Sequence, residues 1–486
     1  MQQKVLLINP SSDLISQNHF FLQFAKPIPP AGLGYIASVL RQDGVNVRII
    51  DQYAEKISLN KLLDVIKAYK PDIIGVSCIT FLLKEVRYLC ELIKRDDKNI
   101  NIVIGNVHAT YFPEETLRYV NADAVIRGEG EYAMRDYVRA LANNSDLRSV
   151  LGLTFKSGDV FISNPDRPLI TDLDALPYPA WDLINLDNYK GSPLICANGA
   201  RSGIVFASRG CPYSCYYCSQ DSANKKFRSR EVNKVIDEIE LGYEKHNFKY
   251  TALGDAYFPF SEEQGMEFCD KFIQRNLHKK VRWITETRVD KVSAKLLRKM
   301  KDAGAHLIMY GIEVGNAGVL SKLNKKTTLE QAVFALKETR RAGILSLGFF
   351  MLGLPWDTQV TCQDTINFAK KLDCDIVKFS MAVPYPGSDF FNDFSDKDTV
   401  FRSPEKYNSW YDWLDKTGDL AFKPPNLTFV QLRRIQRQGM LKFYLRPRII
   451  ARHILKRTIT LENMLLGGFW LFYLVIVGLL KGLRRK

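Results

Sequence analysis

The 486-residue chain has few histidines and no second cluster of cysteines. It contains 6 His and 9 Cys, and only Cys211, Cys215 and Cys218 lie close together. A structural zinc site normally needs four ligands arranged in two pairs. No second pair accompanies the triplet, and the next histidine, His246, lies well beyond it. These absences argue against a structural zinc site.

The start of the sequence lacks the pattern of a secretory signal peptide. The stretch MQQKVLLINPSSD passes from a strand-like run directly into polar residues. Without such a signal, nine cysteines argue against a disulfide framework and favour a reducing compartment. The six cysteines outside the triplet are therefore expected to be small buried apolar residues.

Acidic residues are almost absent from the end of the chain. From Arg433 onward, 13 Lys and Arg accompany a single acid, Glu462, so this stretch carries +12 of the total net charge of +15. The basic residues flank an uncharged apolar run, 464–480, with the sequence MLLGGFWLFYLVIVGLL. An enzyme acting on nucleic acid more often spreads its basic surface around the active domain. The pattern instead predicts attachment to an anionic membrane and no nucleic-acid partner.

The apolar run leaves two membrane arrangements open. As a helix, 17 residues would measure about 25 Å, near the lower limit for spanning a bilayer. The segment 463–482 is therefore predicted to be a membrane-associating helix that either spans the bilayer or lies in one leaflet. A buried core helix is the alternative.

Short apolar runs alternate with helix-length segments in the first third of the chain. This rhythm predicts an α/β fold in which residues 1–163 form a doubly wound, Rossmann-like domain with a parallel sheet. Ligands bind such sheets at the carboxyl ends of the strands. The predicted strands are Val5–Ile8, Val47–Ile50, Ile73–Val76, Ile102–Ile104 and Ala124–Ile126.

A second series of strands and helices follows a segment rich in Pro and Asp. Residues 164–200 are predicted to be a linker on the surface, and residues 201–400 a partial (β/α)6 barrel that is open on one side. A basic helical extension over 401–462 is expected before the membrane-associating tail. The predicted barrel strands are Ile204–Ala207, Tyr250–Leu253, Arg282–Glu286, Leu307–Tyr310, Leu347–Met351 and Ile376–Ser380.

The cysteine triplet follows the first strand of this second series. Three thiolates on one loop can hold three irons of a cubane Fe–S cluster and leave the fourth iron open. The residues 211–218, CPYSCYYC, resemble the CxxxCxxC signature of the radical S-adenosylmethionine (SAM) superfamily. The resemblance implies a [4Fe–4S] cluster that binds SAM on its open iron and cleaves it to a 5′-deoxyadenosyl radical. It also implies an electron donor of the flavodoxin or ferredoxin type.

Further residues match the same family at the ends of the barrel strands. The resemblance implies that Glu313 meets the ribose hydroxyls of SAM and that Lys325 meets its carboxylate. No catalytic residue beyond the cofactor ligands is predicted. The complete set implied for SAM binding is Tyr217, Gly254, Asp255, Arg288, Glu313, Lys325 and Gly353.

Three segments of the first domain, 27–44, 102–115 and 124–138, resemble the cobalamin-binding domain that often precedes a radical SAM barrel. The DxHxxG signature is absent, so His108 is not assigned to cobalt. A doubly wound domain that has lost its corrinoid is the alternative. The resemblance implies that cobalamin contacts Ser77, Thr80, Gly105, Asn106, Gly128 and Glu129.

Together, these domains resemble cobalamin-dependent radical SAM enzymes such as hopanoid methylases and the anaerobic Mg-protoporphyrin ester cyclase. This resemblance implies methylation of an unactivated carbon. The apolar, basic tail adds the prediction of a lipid or isoprenoid-like substrate and a location on the cytoplasmic face of the cell membrane. Cyclisation or rearrangement without methyl transfer is one alternative, and a non-catalytic membrane-bound sensor of cobalamin or SAM is another.

Overall fold

The computed structural model describes residues 3–11, 27–191, 200–219, 226–394 and 421–455. These residues form an α/β fold with two large, mainly parallel sheets. The first sheet belongs to the N-terminal domain, and the second is curved into an open barrel.

The N-terminal sheet has seven strands in the order β2-β1-β3-β4-β5-β6-β7. The first five are parallel, as predicted, and the crevice between β1 and β3 is the point at which the strand order reverses. An antiparallel hairpin that was not predicted, β6–β7, extends the sheet. The strands are β1 (Lys4–Asn9), β2 (Asn46–Asp51), β3 (Ile73–Ser77), β4 (Asn101–Gly105), β5 (Ala124–Ile126), β6 (Leu153–Ser157) and β7 (Val160–Ser163).

Helices cover both faces of this sheet. Alternate residues of β1 explain the two apolar layers, since Val5 and Leu7 pack on one side and Leu6 and Ile8 on the other. The helices are α1 (Ala31–Gln42), α2 (Leu59–Tyr69), α3 (Leu83–Asp96), α4 (Val107–Tyr111), α5 (Pro113–Tyr119) and α6 (Gly130–Ala142).

The second sheet has the six predicted parallel strands in the order β15-β14-β13-β12-β11-β8. Because β15 and β8 are not paired, the barrel is open on one side, as predicted. A two-stranded antiparallel ribbon, β9 (Ser208–Arg209) with β10 (Arg228–Ser229), lies beyond the end of β8. The barrel strands are β8 (Ser202–Val205), β11 (Tyr250–Leu253), β12 (Arg282–Arg288), β13 (Ala305–Glu313), β14 (Leu345–Leu352) and β15 (Ile376–Met381).

Alternation along the barrel strands separates an outer core from an inner one. Trp283 and Tyr310 pack outward against the helices, whereas Ile284, Met309 and Phe349 point to the inside. The helices of the barrel are α7 (Val232–His246), α8 (Glu262–Gln274), α9 (Ala294–Asp302), α10 (Ala317–Lys322), α11 (Leu329–Arg341), α12 (Gln359–Leu372) and α13 (Asp389–Phe394).

The Pro- and Asp-rich linker does not simply lie on the surface. Leu176, Trp181 and Tyr189 are buried in the same core cluster as residues of the N-terminal sheet. The Tyr189 hydroxyl donates to Asp51 Oδ2 at 2.8 Å, at the end of β2. The linker is therefore part of the N-terminal core. Its apolar side chains follow no regular period, so the sequence pattern did not predict their burial.

Two C-terminal helices, α14 (Phe429–Tyr444) and α15 (Pro447–Leu455), lie within the segment 401–462 that was predicted to be a helical extension, of which the structure describes 421–455. α14 covers β15, whose outer edge would otherwise expose unpaired backbone groups. The Tyr444 hydroxyl donates to Val377 O at 2.8 Å and accepts from Val377 N at 3.0 Å. Among the described residues no helix is long and apolar enough to cross a membrane, and the predicted helix over 463–482 lies outside them.

Candidate active site

The three clustered cysteines lie on the loop that joins β9 to β10. All three are partly exposed, whereas the five scattered cysteines that the structure describes are buried, as predicted. Tyr216 N donates to Leu323 O at 3.0 Å, and Asn324 Nδ2 donates to Ser214 O at 2.7 Å. The loop is therefore held against the barrel segment that follows α10.

The described residues contain no group of three His, Cys, Asp or Glu side chains that converges on a single metal ion. A cubane cluster does not require such convergence, because each thiolate binds a different iron. Three partly exposed thiols on one anchored loop fit a [4Fe–4S] cluster.

Tyr217, Glu313 and Lys325 form a buried triad beside the cysteine loop. Tyr217 Oη donates to Glu313 Oε1 at 2.8 Å, and Lys325 Nζ donates to the same oxygen at 2.5 Å. Lys325 and Glu313 are only 5% and 7% exposed, so each charge depends on the other. Burial, with Glu313 beside it, raises the pKa of the Tyr217 phenol well above its ordinary value, so the phenol remains a donor. The structure thus brings together three residues predicted to bind SAM.

The backbone at Glu313 is in an unusual conformation. Its φ is 72°, in the left-handed region that non-glycine residues rarely adopt, and the pairing of β13 with β14 shifts register between Gly311 and Glu313. Such conformations persist where the surrounding contacts enforce them and are common at functional sites. Here the turn aims the Glu313 carboxylate at Lys325 and Tyr217.

Gly311 leaves the space that this triad occupies. A Cβ at this position would lie 2.6 Å from Glu313 Oε1 and 2.7 Å from Lys325 Nζ. We expect Gly311→Ala to weaken SAM binding by about 1–3 kcal/mol, a factor of about 5 to about 150, because both polar atoms must move. Calorimetric titration of the cluster-loaded protein measures this change. Gly318→Ala in α10, where the nearest atom is Asn316 Oδ1 at 3.3 Å, is the control and should bind SAM normally.

Arg288, at the end of β12, joins the cysteine loop to the triad. Its guanidinium lies 3.6 Å from the centre of the Tyr213 ring and donates to Lys325 O at 2.7 Å. It also pairs with Asp290 at 2.9 Å. These contacts place Arg288 in the predicted site, where it positions the loop and the Lys325 segment.

Asp255, which follows β11, is buried and holds the stem of the cysteine loop. It accepts hydrogen bonds from Ser208 Oγ at 2.5 Å and from Ala207 N at 3.2 Å. Burial raises the pKa of Asp255 to about 6, although these donors oppose the shift. Gly254 beside it has no room for a side chain, because a Cβ would lie 2.7 Å from both Ile204 and Phe206.

Gly353 is the remaining residue predicted to bind SAM. A glycine is required here because the end of the barrel strand packs closely against α14. Its φ is 85°, and a Cβ there would lie 2.6 Å from Leu432 Cδ2. Its N–H donates to Asp357 Oδ2 at 2.9 Å. The structure does not bring Gly353 into contact with the Tyr217 triad.

A cavity of about 590 Å³ lies between the N-terminal domain and the barrel. The side formed by the N-terminal domain includes five of the six residues predicted to contact cobalamin, namely Ser77, Gly105, Asn106, Gly128 and Glu129. The side formed by the barrel includes Phe206, Ser208, Arg209, Gly210, Gly254 and Asp255. The predicted cobalamin site therefore faces the stem of the cysteine loop directly.

The walls of this cavity fit a corrinoid. A Cβ at Gly105 or Gly128 would meet nothing within 4 Å, so bare backbone faces open space at these two positions. Asn106 adopts a φ of 85°, and its side-chain amide donates to Ser77 Oγ at 2.8 Å. Glycine backbone permits the close approach of a large ring system, and the amide and hydroxyl supply a few polar groups, as in other cofactor sites.

Two residues of the N-terminal domain do not line the cavity. Thr80, which was predicted to contact cobalamin, is buried at the start of a short 3₁₀ turn, Thr80–Leu82. His108 is fully buried in α4, with its ring centre 5.4 Å from that of Phe112. The position of His108 agrees with leaving it unassigned to cobalt.

Burial of His108 predicts a pH-dependent stability. Desolvation lowers its pKa from 6.5 to about 4. Because the unfolded chain binds this proton more tightly, the contribution is complete above pH 6.5 and is lost as the pH falls towards 4, with about 2 kcal/mol lost by about pH 5. Thermal unfolding between these pH values should show a shallower decline for His108→Leu than for the wild type. Parallel curves for the two proteins would contradict this prediction.

Three charged residues of the site were not predicted from the sequence. Glu286 lies on the inside of the barrel in β12, and burial, with Glu313 nearby, raises its pKa to about 7. Arg209 and Arg228 flank the cysteine loop and pair with Glu129 of the N-terminal domain. Arg209, two residues before Cys211, was the only one whose place in the sequence could have drawn attention to it.

Two family models match the chain in the two domains described above. The B12 binding domain matches residues 21–138, and the Radical SAM superfamily matches residues 205–369. An uncharacterized methyltransferase of Pyrococcus horikoshii is 32% identical over 428 residues, which cover 88% of this chain and 90% of the relative. The anaerobic magnesium-protoporphyrin IX monomethyl ester cyclase of Cereibacter sphaeroides is 32% identical over 387 residues, covering 78% of this chain and 62% of the relative.

A solved structure shares the fold over almost the whole chain. It is the radical SAM methyltransferase TsrM from Kitasatospora setae with cobalamin and a [4Fe–4S] cluster bound. The TM-score is 0.70 at 18% sequence identity, over 90% of this chain and 91% of that chain. The cofactors of the present chain are a [4Fe–4S] cluster, SAM and cobalamin. The radical SAM match and the methyltransferase relative show that it is a radical SAM enzyme. The chain belongs to the cobalamin-binding radical SAM enzymes.

Proposed function

We propose that this enzyme methylates an unactivated carbon of a hydrophobic substrate at a membrane surface. The observation that carries the proposal is the cavity in which Gly105 and Gly128 of the cobalamin domain face Gly210 and Asp255 at the stem of the cysteine loop. Methyl transfer to a substrate radical requires the methyl donor and the site of radical formation to lie on opposite sides of one substrate pocket. The cavity supports this proposal, because the cobalamin domain bounds it on one side and the stem of the cysteine loop on the other.

The bound cofactors provide the reactive groups, and this chain positions them. When bound, the cluster and SAM supply a 5′-deoxyadenosyl radical that abstracts a substrate hydrogen, and cobalamin supplies a methyl group. We assign Cys211, Cys215 and Cys218 to the cluster. Lys325 holds the SAM carboxylate and Glu313 the ribose hydroxyls, since both side chains are already oriented by the buried triad.

The cobalamin domain contributes backbone more than side chains. Gly105 and Gly128 let the corrinoid approach the sheet edge, and Ser77 and Asn106 supply the hydroxyl and amide beside it. The inside of the barrel beyond this cavity is lined by apolar residues such as Met309 and Phe349, with Glu286 among them. An apolar lining with one titratable group suits a hydrophobic substrate that carries one polar function.

The C-terminal helices support association with a membrane. Val430, Arg434 and Arg437 follow one another at helical spacing along α14 and are exposed, as is Leu445 directly after the helix. Val430 is 67% and Leu445 52% exposed, and no acid occurs from Arg433 to the end of α15. Each basic residue near an anionic surface contributes about 1 kcal/mol. We propose that this face, with segment 463–482, attaches the enzyme to the cytoplasmic face of the cell membrane.

Sedimentation with vesicles tests the membrane proposal. The full chain should bind vesicles containing phosphatidylglycerol and bind phosphatidylcholine vesicles less strongly. Removal of residues 463–486 should release most of the protein, and Arg434→Ser with Arg437→Ser should reduce the preference for anionic lipid. Equal binding of all three proteins to both vesicles would contradict membrane attachment through this end of the chain.

Cyclisation without methyl transfer is the second candidate, and the 32% identity to the anaerobic cyclase supports it. The two reactions differ in whether the methyl group of SAM is transferred to the product. Reconstituted enzyme, reductant, SAM with a deuterated methyl group and a membrane lipid extract should yield a labelled lipid and 5′-deoxyadenosine. Formation of 5′-deoxyadenosine with an altered but unlabelled product would favour cyclisation. No 5′-deoxyadenosine above background would contradict both candidates.

A further inference from the structure

The cysteine loop is attached to the barrel by a ribbon of only two residues per strand. Ser208 and Arg209 precede the loop, and Arg228 and Ser229 follow it, paired in antiparallel register. A two-stranded ribbon of this length has little stability of its own. Other contacts must therefore fix its direction relative to the cobalamin domain.

Both strands of the ribbon carry an arginine that crosses to the cobalamin domain. Arg209 Nη1 lies 3.0 Å from Glu129 Oε1, and Arg209 Nη2 lies 2.5 Å from Glu131 Oε1. Arg228 Nη1 lies 2.9 Å from Glu129 Oε2 and also donates to Ile170 O at 2.6 Å. We call Arg209, Arg228, Glu129 and Glu131 the interdomain latch.

The latch is buried and balanced in charge. The side chains of Arg228, Glu129 and Glu131 are 4%, 7% and 6% exposed, and two positive charges face two negative ones. Buried ion pairs resist movement, because separating the two charges leaves each one buried with neither a counterion nor water. The Glu129 carboxylate makes no side-chain bond at the start of its own helix α6, although Glu129 occupies the capping position.

The latch shares its backbone with the cavity wall. Gly128, Glu129, Gly130 and Glu131 are consecutive residues that line the cobalamin cavity. On the opposite side, Arg209 is followed by Gly210, which also lines the cavity, and then by Cys211. A displacement of the cysteine loop relative to the corrinoid wall therefore requires the latch to open.

We propose that the interdomain latch sets the distance between the iron–sulfur cluster and cobalamin, with Glu129 and Arg228 as positioning residues. Glu129 was predicted from sequence to contact cobalamin, but its carboxylate oxygens face Arg209, Arg228 and Ile170 N. This positioning role requires that the chain bind both the cluster and cobalamin. It is the same whether the enzyme methylates or cyclises its substrate. Its failure would leave the proposed methyl transfer intact.

Magnetic interaction between the two cofactors tests this role without a substrate. In holoenzyme reduced to cob(II)alamin and a paramagnetic cluster, the nearby cluster should accelerate the spin relaxation of cob(II)alamin, and this acceleration falls steeply with distance. We expect Glu129→Gln and Arg228→Met to retain iron and cobalamin but to lose most of the acceleration. SAM cleavage should continue, and turnover with any accepted substrate should fall by about 10²-fold if the displacement reaches about 1 Å.

Arg228→Met is the decisive variant because Arg228 does not line the cavity, whereas Glu129 and Arg209 do. A direct contact between the Arg228 side chain and the corrinoid therefore cannot explain an effect of this substitution. Asp43→Asn is the matched control, because it removes the 2.6 Å pair with Arg139 at the far end of α6. Unchanged relaxation in both latch variants with full cofactor content would overturn the proposal. Loss of cobalamin from Glu129→Gln, with wild-type relaxation in Arg228→Met, would also overturn it and make Glu129 a corrinoid contact.

Discussion

Replacement of Cys215 by alanine is expected to abolish the reductive cleavage of SAM. Each of the three thiolates holds one iron, so the loss of one thiolate exposes a second iron and the cluster no longer assembles intact. Cys215 is the middle ligand of a loop whose flanking residues, Ser214 and Tyr216, are anchored to the barrel. Iron and sulfide content should fall strongly, and 5′-deoxyadenosine should drop to background in anaerobic assays with SAM and reductant.

Cys269→Ala is the control for this prediction. Cys269 is fully buried in the core of α8, among residues packed outside the barrel. Its replacement removes a small apolar side chain and no cluster ligand, so iron content and SAM cleavage should remain near wild type. Equal cleavage by Cys215→Ala and wild type would mean that another residue completes the cluster, which would contradict the assignment of the triplet.

The second large effect is expected at Glu313. Glu313→Ala removes the ion-pair partner of Lys325, whose ammonium then stays buried with the Tyr217 hydroxyl, at 3.1 Å, as its remaining hydrogen-bond acceptor among the described residues. Loss of one member of a buried ion pair costs about 3–5 kcal/mol of unfolding free energy. SAM binding should be lost as well, because Lys325 is no longer held in place. Chemical denaturation and calorimetric titration of SAM measure the two losses separately.

A double variant separates stability from binding. Glu313→Leu with Lys325→Met replaces both charges by apolar side chains, and such replacements are often neutral for stability. We expect the double variant to recover most of the unfolding free energy and to remain unable to bind SAM. If it bound SAM as tightly as the wild type, the triad would be a structural feature only.

The strands were predictable because each is a short apolar run with polar boundaries. The observed β5 has the predicted bounds, and β1 and β2 extend the prediction by one residue at each end. The cysteine triplet was equally direct, since all its ligands lie within eight residues of one another. The antiparallel hairpin β6–β7 escaped notice because its exposed strand, Val160–Ser163, shows no buried run.

Other features had no local signal. Gly353 follows a strand of the barrel like the predicted SAM residues, yet its neighbour is Leu432, almost 80 residues later in the chain. Trp181 and Tyr189 lie in a segment without periodicity but are buried in the N-terminal core. In each case the partner is distant in sequence, so the pattern around the residue could not reveal the contact.

The sequence by itself determined the cysteine ligands of the iron–sulfur cluster and the order of the domains, because ligand spacing and strand periodicity are local properties. SAM and cobalamin followed from the resemblance of its motifs to a known family. The sequence also placed Ser77, Gly105 and Gly128 at strand ends where a ligand could bind. Only the tertiary structure decided what these ends face, since the stem of the cysteine loop meets them across one cavity. It likewise decided that Glu129 pairs with Arg209 and Arg228. The physical reason is that a buried charge is stable only beside a counterion. Folding brings these counterions together although they lie about 80 to 100 positions apart in the sequence.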